Sequence, residues 1–238
     1  SLVETARRAY WQEKELSLHE DRMHFRDLLT DGERRFVSHI LSFFAIADSL
    51  VNTNILERFI KEVPFKEATA FYNMQAAMED IHNTAYSMML DEIIGDAAER
   101  ECLFDAAAHI PSIGAMTNYI AACAASDEPF AVRLLRMICA EGILFSGAFC
   151  AIYWFRSRAL MPGLAHANEF IARDEGLHTS FGIALYHMLT PALDSNRVHA
   201  IINDAVKIAH DFACDALPSG MRGMNSEMMG QYIKYVAD

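Results

Sequence analysis

The chain has 238 residues, 53% of them apolar, with 32 acidic against 20 basic side chains and a formal net charge of −12. That is enough apolar material for one sizeable core, while the acidic balance excludes a nucleic-acid surface, which needs a concentrated basic stripe. Five cysteines, odd in number and without paired spacing, exclude a disulfide framework and a thiolate metal site and point to a reducing, cytoplasmic setting.

The first residues, SLVETARRAYWQEKELSLHED, are too charged for a signal peptide. Helical spacing of apolar residues then predicts a helix over roughly 30–59, with Thr30 ahead of Asp31 and Glu33 as its cap. A second helix follows at 66–94, and shorter ones at 98–108 and 112–126. The stretch 129–158 is apolar on nearly every face, so it must be central or buried at an interface. After a break at MPG (161–163) come helices at 164–190, at 195–216 behind Ser195, and, past LPSG (217–220), at 225–237 from Asn225. Strand alternation is scarce, with 11 Gly and 6 Pro in all. The reading is an all-α bundle of long helices forming a single domain over 1–238. No uncharged apolar run reaches the roughly 20 residues of a membrane helix, so no membrane association is expected.

A few acids fall inside these apolar helices, where an unpartnered carboxylate is costly. Asp48 is the sole acid of LSFFAIADSLV and Glu141 the sole acid of MICAEGILFSGAF. Glu79-x-x-His82 and Glu175-x-x-His178 each set a carboxylate and an imidazole one turn apart on one helix face. With 17 Glu and 10 His in the sequence, chance alone supplies roughly 0.7 such pairs, so the spacing carries little by itself. The order carries more: a helix with one isolated acid, then a helix with Glu-x-x-His, occurs twice, 31 and 34 residues apart. That is the ligand plan of ferritin-like helical bundles with a dinuclear metal site in the core, Asp48 replacing one Glu. Four carboxylates balance two divalent ions, and oxygen ligands with a minority of nitrogen suit iron or manganese. Tyr86, four residues past His82, projects over the same face. Phe145, Phe149 and Ile171 point to the same interior and could form a dry pocket around the phenol. A di-metal oxygenase, an iron store and a metal-free helper protein remain open at this level.

The segments FFAIADSLVNTNILERF, FYNMQAAMEDIHNTAYSMMLDEI, AEGILFSGAFCAIYWF, RALMPGLAHANEFIARDEGLHTSFG and ALPSGMRGMNSEMMGQYIKYVAD resemble, over nearly the whole length, the small subunit of class I ribonucleotide reductase of the eukaryotic and viral type. The resemblance implies that Asp48, Glu79, His82, Glu141, Glu175 and His178 hold two iron ions per subunit, manganese being the alternative. It implies that the site activates O2 and that Tyr86 holds a stable radical, with Phe145, Phe149 and Ile171 around it. Trp11 and Asp174 match a radical relay to the ligand His82. A homodimer is implied, as is a large subunit that reduces ribonucleotides and is bound through a C-terminal tail not contained in these 238 residues. Ser49 stands where the family usually has Gly, a departure that could alter packing or access near Asp48.

Overall fold

Long helices laid around one another make up the computed structural model of the protein, which describes residues 1–98, 100–102, 110–216 and 224–238. No strand occurs among the described residues. The first elements, α1 (Leu2–Ala9) and α2 (His19–Asp27), are not expected from the spacing, which starts the helices at 30. Both are short and bury little, Ala6 in one and Asp21 and Phe25 in the other. Helices of that length are marginal alone and owe their form to tertiary contacts.

The next helix, α3 (Asp31–Asn54), opens on a reciprocal cap: Thr30 N–H donates to Glu33 Oε2 at 2.8 Å, and Glu33 N–H to Thr30 Oγ1 at 3.3 Å. It runs on through a π-type turn at Ile55–Phe59 to Glu62. Then come α4 (Lys66–Met89), extended by a π-type turn at Leu90–Ile94, and α5 (Pro111–Ala125). The predicted helix at 98–108 lies largely outside the described residues, and LPSG wholly so. The apolar stretch 129–158 forms α6 (Phe130–Cys139), a π-type turn at Ala140–Leu144 and α7 (Ser146–Ser157). Last are α8 (Pro162–His187), α9 (Ser195–Ala216) and α10 (Ser226–Ala237). Asn225 caps α10 as expected, accepting from Met228 N–H at 2.9 Å. At α9 it is Asp194, not Ser195, that accepts from the first turn, at Arg197 N–H.

Two stretches, Asp31–Glu62 and Phe130–Ser157, are long and apolar enough by length and composition to cross a membrane. Their apolar windows are 67% and 78% buried inside the bundle, so core packing accounts for their composition. The N-terminal segment is pinned across the bundle by α2. Asp21 accepts from the N–H groups of Gly163 and Leu164, both at 2.8 Å, satisfying the start of α8. Met161 N–H donates to His24 Nδ1 at 3.1 Å while its own backbone is left-handed, with φ of 54°. A Cβ on Gly163 would run into the Ser17 carbonyl oxygen, so only glycine lets the two segments meet there. Ser49 is exposed on α3 rather than packed into the core, and its carbonyl accepts from Thr53 Oγ1 at 2.9 Å.

Candidate metal centre

Four long helices converge on one buried polar cluster. Asp48 comes from α3, Glu79 and His82 from α4, Glu141 from the π-type turn after α6, and Glu175 and His178 from α8. All six are at most 4% exposed. One donor atom from each of Glu79, Glu141, Glu175 and His178 lies within 4.8 Å of the others, and the same holds for Asp48, Glu79 and His82. Glu79 belongs to both groups. Its Oε1 is 3.2 Å from His178 Nδ1 and its Oε2 is 3.4 Å from His82 Nδ1. Glu175 repeats the pattern, Oε1 at 3.2 Å from His82 Nδ1 and Oε2 at 3.5 Å from His178 Nδ1. Each of these glutamates therefore offers one oxygen to either imidazole, the geometry of a bridging carboxylate. Asp48 sits on the His82 side, 3.9 Å from Nδ1, and Glu141 groups with His178.

The donor set fits metal ions. Both carboxylate oxygens of Asp48, Glu79 and Glu175, and His82 Nδ1, are buried without a hydrogen-bond partner. Each such group costs about 1–3 kcal/mol, more when charged, if nothing satisfies it. Neither ring nitrogen of His178 has a partner outside the cluster. Burial, then the Glu79 charge, pushes the Asp48 carboxyl well above its usual range; burial and then Glu175 do the same to Glu141. Burial alone would lower the histidines, but the facing carboxylates raise both well above the ordinary value. Glu79 resists burial because it faces both imidazoles, and is held down at about 2. Without a cation the cluster thus holds extra protons, which metal ions would displace.

Two aromatic side chains flank the cluster. Trp11 Nε1–H donates to Asp174 Oδ2 at 2.8 Å, and the same oxygen lies 3.2 Å from His82 Nε2. The indole also stacks on His82, centroids 6.1 Å apart at 28°. A carboxylate on the far nitrogen of an imidazole fixes its tautomer and aims the other nitrogen at a metal. Tyr86 is 1% exposed, and its hydroxyl has no hydrogen-bond partner. Burial, then the Asp48 and Glu175 charges, raises its pKa well above normal, so the phenol is neutral.

The sequence matches the family model for the ribonucleotide reductase small chain over residues 1–238. The protein belongs to the ribonucleotide reductase small-chain family. It is 43% identical over 237 residues to a ribonucleoside-diphosphate reductase small chain from Arabidopsis thaliana, the match covering 100% of this sequence and 71% of that protein. The Nicotiana tabacum small chain is 45% identical over 230 residues, the match covering 97% and 70%. Among solved structures, the Rnr4 homodimer of ribonucleotide reductase from Saccharomyces cerevisiae superposes with a TM-score of 0.90 at 30% identity, covering 100% of this protein and 75% of that one. The ferritin-like helical bundle and the reductase family read from the sequence are both borne out.

Within this small chain, four contributors lie beyond the residues read from spacing. Phe44 stacks face to face on Tyr86, centroids 4.9 Å apart at 6°. Phe145 and Phe149 meet Phe44 at 5.4 and 5.1 Å, so their rings reach the tyrosine's surroundings through it; Ile171, one turn before Glu175, is buried. Gln75 Nε2 donates to Glu141 Oε1 at 2.7 Å. Phe44 and Gln75 each lie four residues before a candidate ligand, Asp48 and Glu79, so the same i, i+4 rule would have found them. Arg173 donates to Asp174 Oδ1 from Nε at 3.2 Å and from Nη2 at 3.1 Å, and also to the Ala9 carbonyl. Asp21 clamps α8 from 142 residues away, a contact for which the sequence holds no local signal.

Proposed function

We propose that this protein is a radical-generating small subunit of ribonucleoside-diphosphate reductase, in which two iron ions held by Asp48, Glu79, His82, Glu141, Glu175 and His178 serve to oxidise Tyr86. The observation that carries this reading is the pair of glutamates, each with one oxygen toward either imidazole, beside a buried phenol. A pair of iron ions supplies one-electron redox chemistry with O2 that no side chain here can provide.

The residues' own parts follow from their surroundings. Asp48 and His82 would hold one ion and Glu141 and His178 the other, with Glu79 and Glu175 offering an oxygen to each. Tyr86 would give up one electron and its phenolic proton, both taken up as O2 is reduced toward water. Phe44, Phe145, Phe149 and Ile171 keep water and reductants from the radical left behind. Trp11 passes an electron toward the site; the Asp174 carboxylate accepts its indole N–H and holds His82 in register. On this reading the protein is one domain that pairs with a second copy and hands its oxidising equivalent to a large subunit, in the cytoplasm.

The test is reconstitution with ferrous iron and O2, followed by electron paramagnetic resonance. Wild type should give a tyrosyl signal that is absent in Tyr86→Phe. An iron-loaded wild type that gives no radical under any supply of reducing equivalents defeats the assignment.

A further inference from the structure

The ligand cluster is sealed unevenly. Glu79 and His82 have no exposure at all, whereas Glu141 keeps 4% and Glu175 2%. Those two line a cleft of about 450 Å3 between the α6–α7 helix, α8, α9 and α10. Tyr153 and Tyr232, each 37% exposed, stand at its mouth, and Ser146 and Thr179 line it together with the two carboxylates. Among the described residues no Lys, Arg or His lines it.

Its floor is built around the π-type turn. Gly142, next to Glu141, lets Thr179 come close: a Cβ there would lie 3.0 Å from Thr179 Cγ2 and 3.3 Å from Oγ1. Thr179 Oγ1 is buried and has no hydrogen-bond partner. Gln75 engages only Oε1 of Glu141, leaving the second oxygen uncommitted.

We propose that this cleft is the route by which divalent cations reach the ligand cluster, with Glu141 the first carboxylate they meet and the Thr179 hydroxyl a stepping point. The proposal rests on the metal-centre reading above. A hydrated cation must exchange its waters for protein oxygens as it enters, and a hydroxyl followed by two carboxylates supplies them in sequence. Along the cleft itself no basic side chain among the described residues stands between its mouth and the two carboxylates. Trp11 and Tyr86, which flank the cluster, are buried.

The probe is Mn2+ alone, added to the metal-free full-length protein, with uptake followed by loss of the free-ion paramagnetic signal. Gly176 lines the cleft, and a Cβ built on it meets nothing within 4 Å, so Gly176→Leu starts its side chain in open space within the route. It should slow uptake by about tenfold or more while leaving the final stoichiometry unchanged. Thr179→Val keeps the shape and removes the hydroxyl, and should slow uptake by about threefold. Gly114→Leu, an equally open position on α5, should load at the wild-type rate. Wild-type uptake rates in both Gly176→Leu and Thr179→Val overturn the proposal. So does unchanged uptake combined with a slower reaction of the preloaded Gly176→Leu protein with O2, which would make the cleft a path for dioxygen. A wild type that takes up no Mn2+ overturns the metal-centre reading, and the route with it.

Discussion

The two halves of the ligand set are near copies in sequence and opposites in setting. Met78-Glu79-x-x-His82-x-x-x-Tyr86 on α4 matches Asp174-Glu175-x-x-His178-x-x-x-Gly182 on α8, position for position. Where α8 has Asp174, whose carboxylate reaches His82, α4 has Met78, which has no oxygen to offer; His178 accordingly has no partner outside the cluster. Where α4 has Tyr86, α8 has Gly182, at which a Cβ would lie 2.6 Å from Ile138 Cγ1. The first half is wired by hydrogen bonds, through Asp174 to Trp11, and carries the buried phenol of Tyr86. The second half carries neither and instead borders the cleft. A near-symmetric set of candidate ligands thus acquires direction from its neighbours: on the proposed reading electrons are exchanged on one side, while the other borders the cleft.

Breaking the wired side should cost most. Phe44→Ala removes the ring stacked on Tyr86 and leaves a core cavity; a loss of about 3–5 kcal/mol in unfolding free energy is expected, with metal retained and the radical decaying faster. A radical as persistent as in wild type would show that Phe44 does not shield the phenol. Glu79→Gln strikes both halves at once, since its oxygens face both imidazoles. Binding of both ions should weaken by more than about a hundredfold in equilibrium dialysis, whereas Asp48→Asn should weaken chiefly the ion on the His82 side. Equal effects would mean that the two ends of the cluster are not distinct. Asp174→Asn leaves every ligand in place and should lower turnover with a large subunit by about ten- to a hundredfold. Trp11→Phe should keep its metal and lose turnover. Unchanged turnover in either variant would break the relay.

The smallest effect is on pH. Asp48, Glu141, His82 and His178 all have raised values in the metal-free fold, so the folded protein binds more protons than the unfolded one. Their stabilising contribution is complete below the unfolded values, about 4 for the acids and 6.5 for the histidines, and is lost as pH rises from there through the raised folded ones. Glu79, held at about 2, acts in the opposite sense: its contribution is present above its own unfolded value and lost as pH falls toward 2. Between pH 6 and 8 the metal-free Tm should therefore fall by about a few degrees, while metal affinity rises as protons leave. A metal affinity indifferent to pH would contradict the proton count.

How much of this is legible in the sequence follows from the range of each contact. The six candidate ligands and Tyr86 announce themselves because polar residues in apolar helices at fixed spacing are a local signal. Phe44 and Gln75 obey the same spacing yet look like ordinary helix residues until a partner helix gives them something to face. The clamp of Asp21 on Gly163 and Leu164, and the Arg173 contact to Ala9, join segments far apart in sequence, and no local pattern encodes them. Helices α1 and α2 are hidden for the same reason, being short segments ordered by what they touch. The π-type turn at Ala140–Leu144, which positions Glu141 beside the cleft, leaves no mark on the apolar periodicity.

Everything proposed for the site depends on two metal ions sharing Glu79 and Glu175, one on the Asp48–His82 side and one on the Glu141–His178 side. Anomalous diffraction from crystals of the metal-free protein soaked with Mn2+ would locate them. Two peaks are expected, about 3.5–4 Å apart, one beside each imidazole Nδ1. A single peak, or none within reach of both histidines, would contradict the shared-glutamate arrangement.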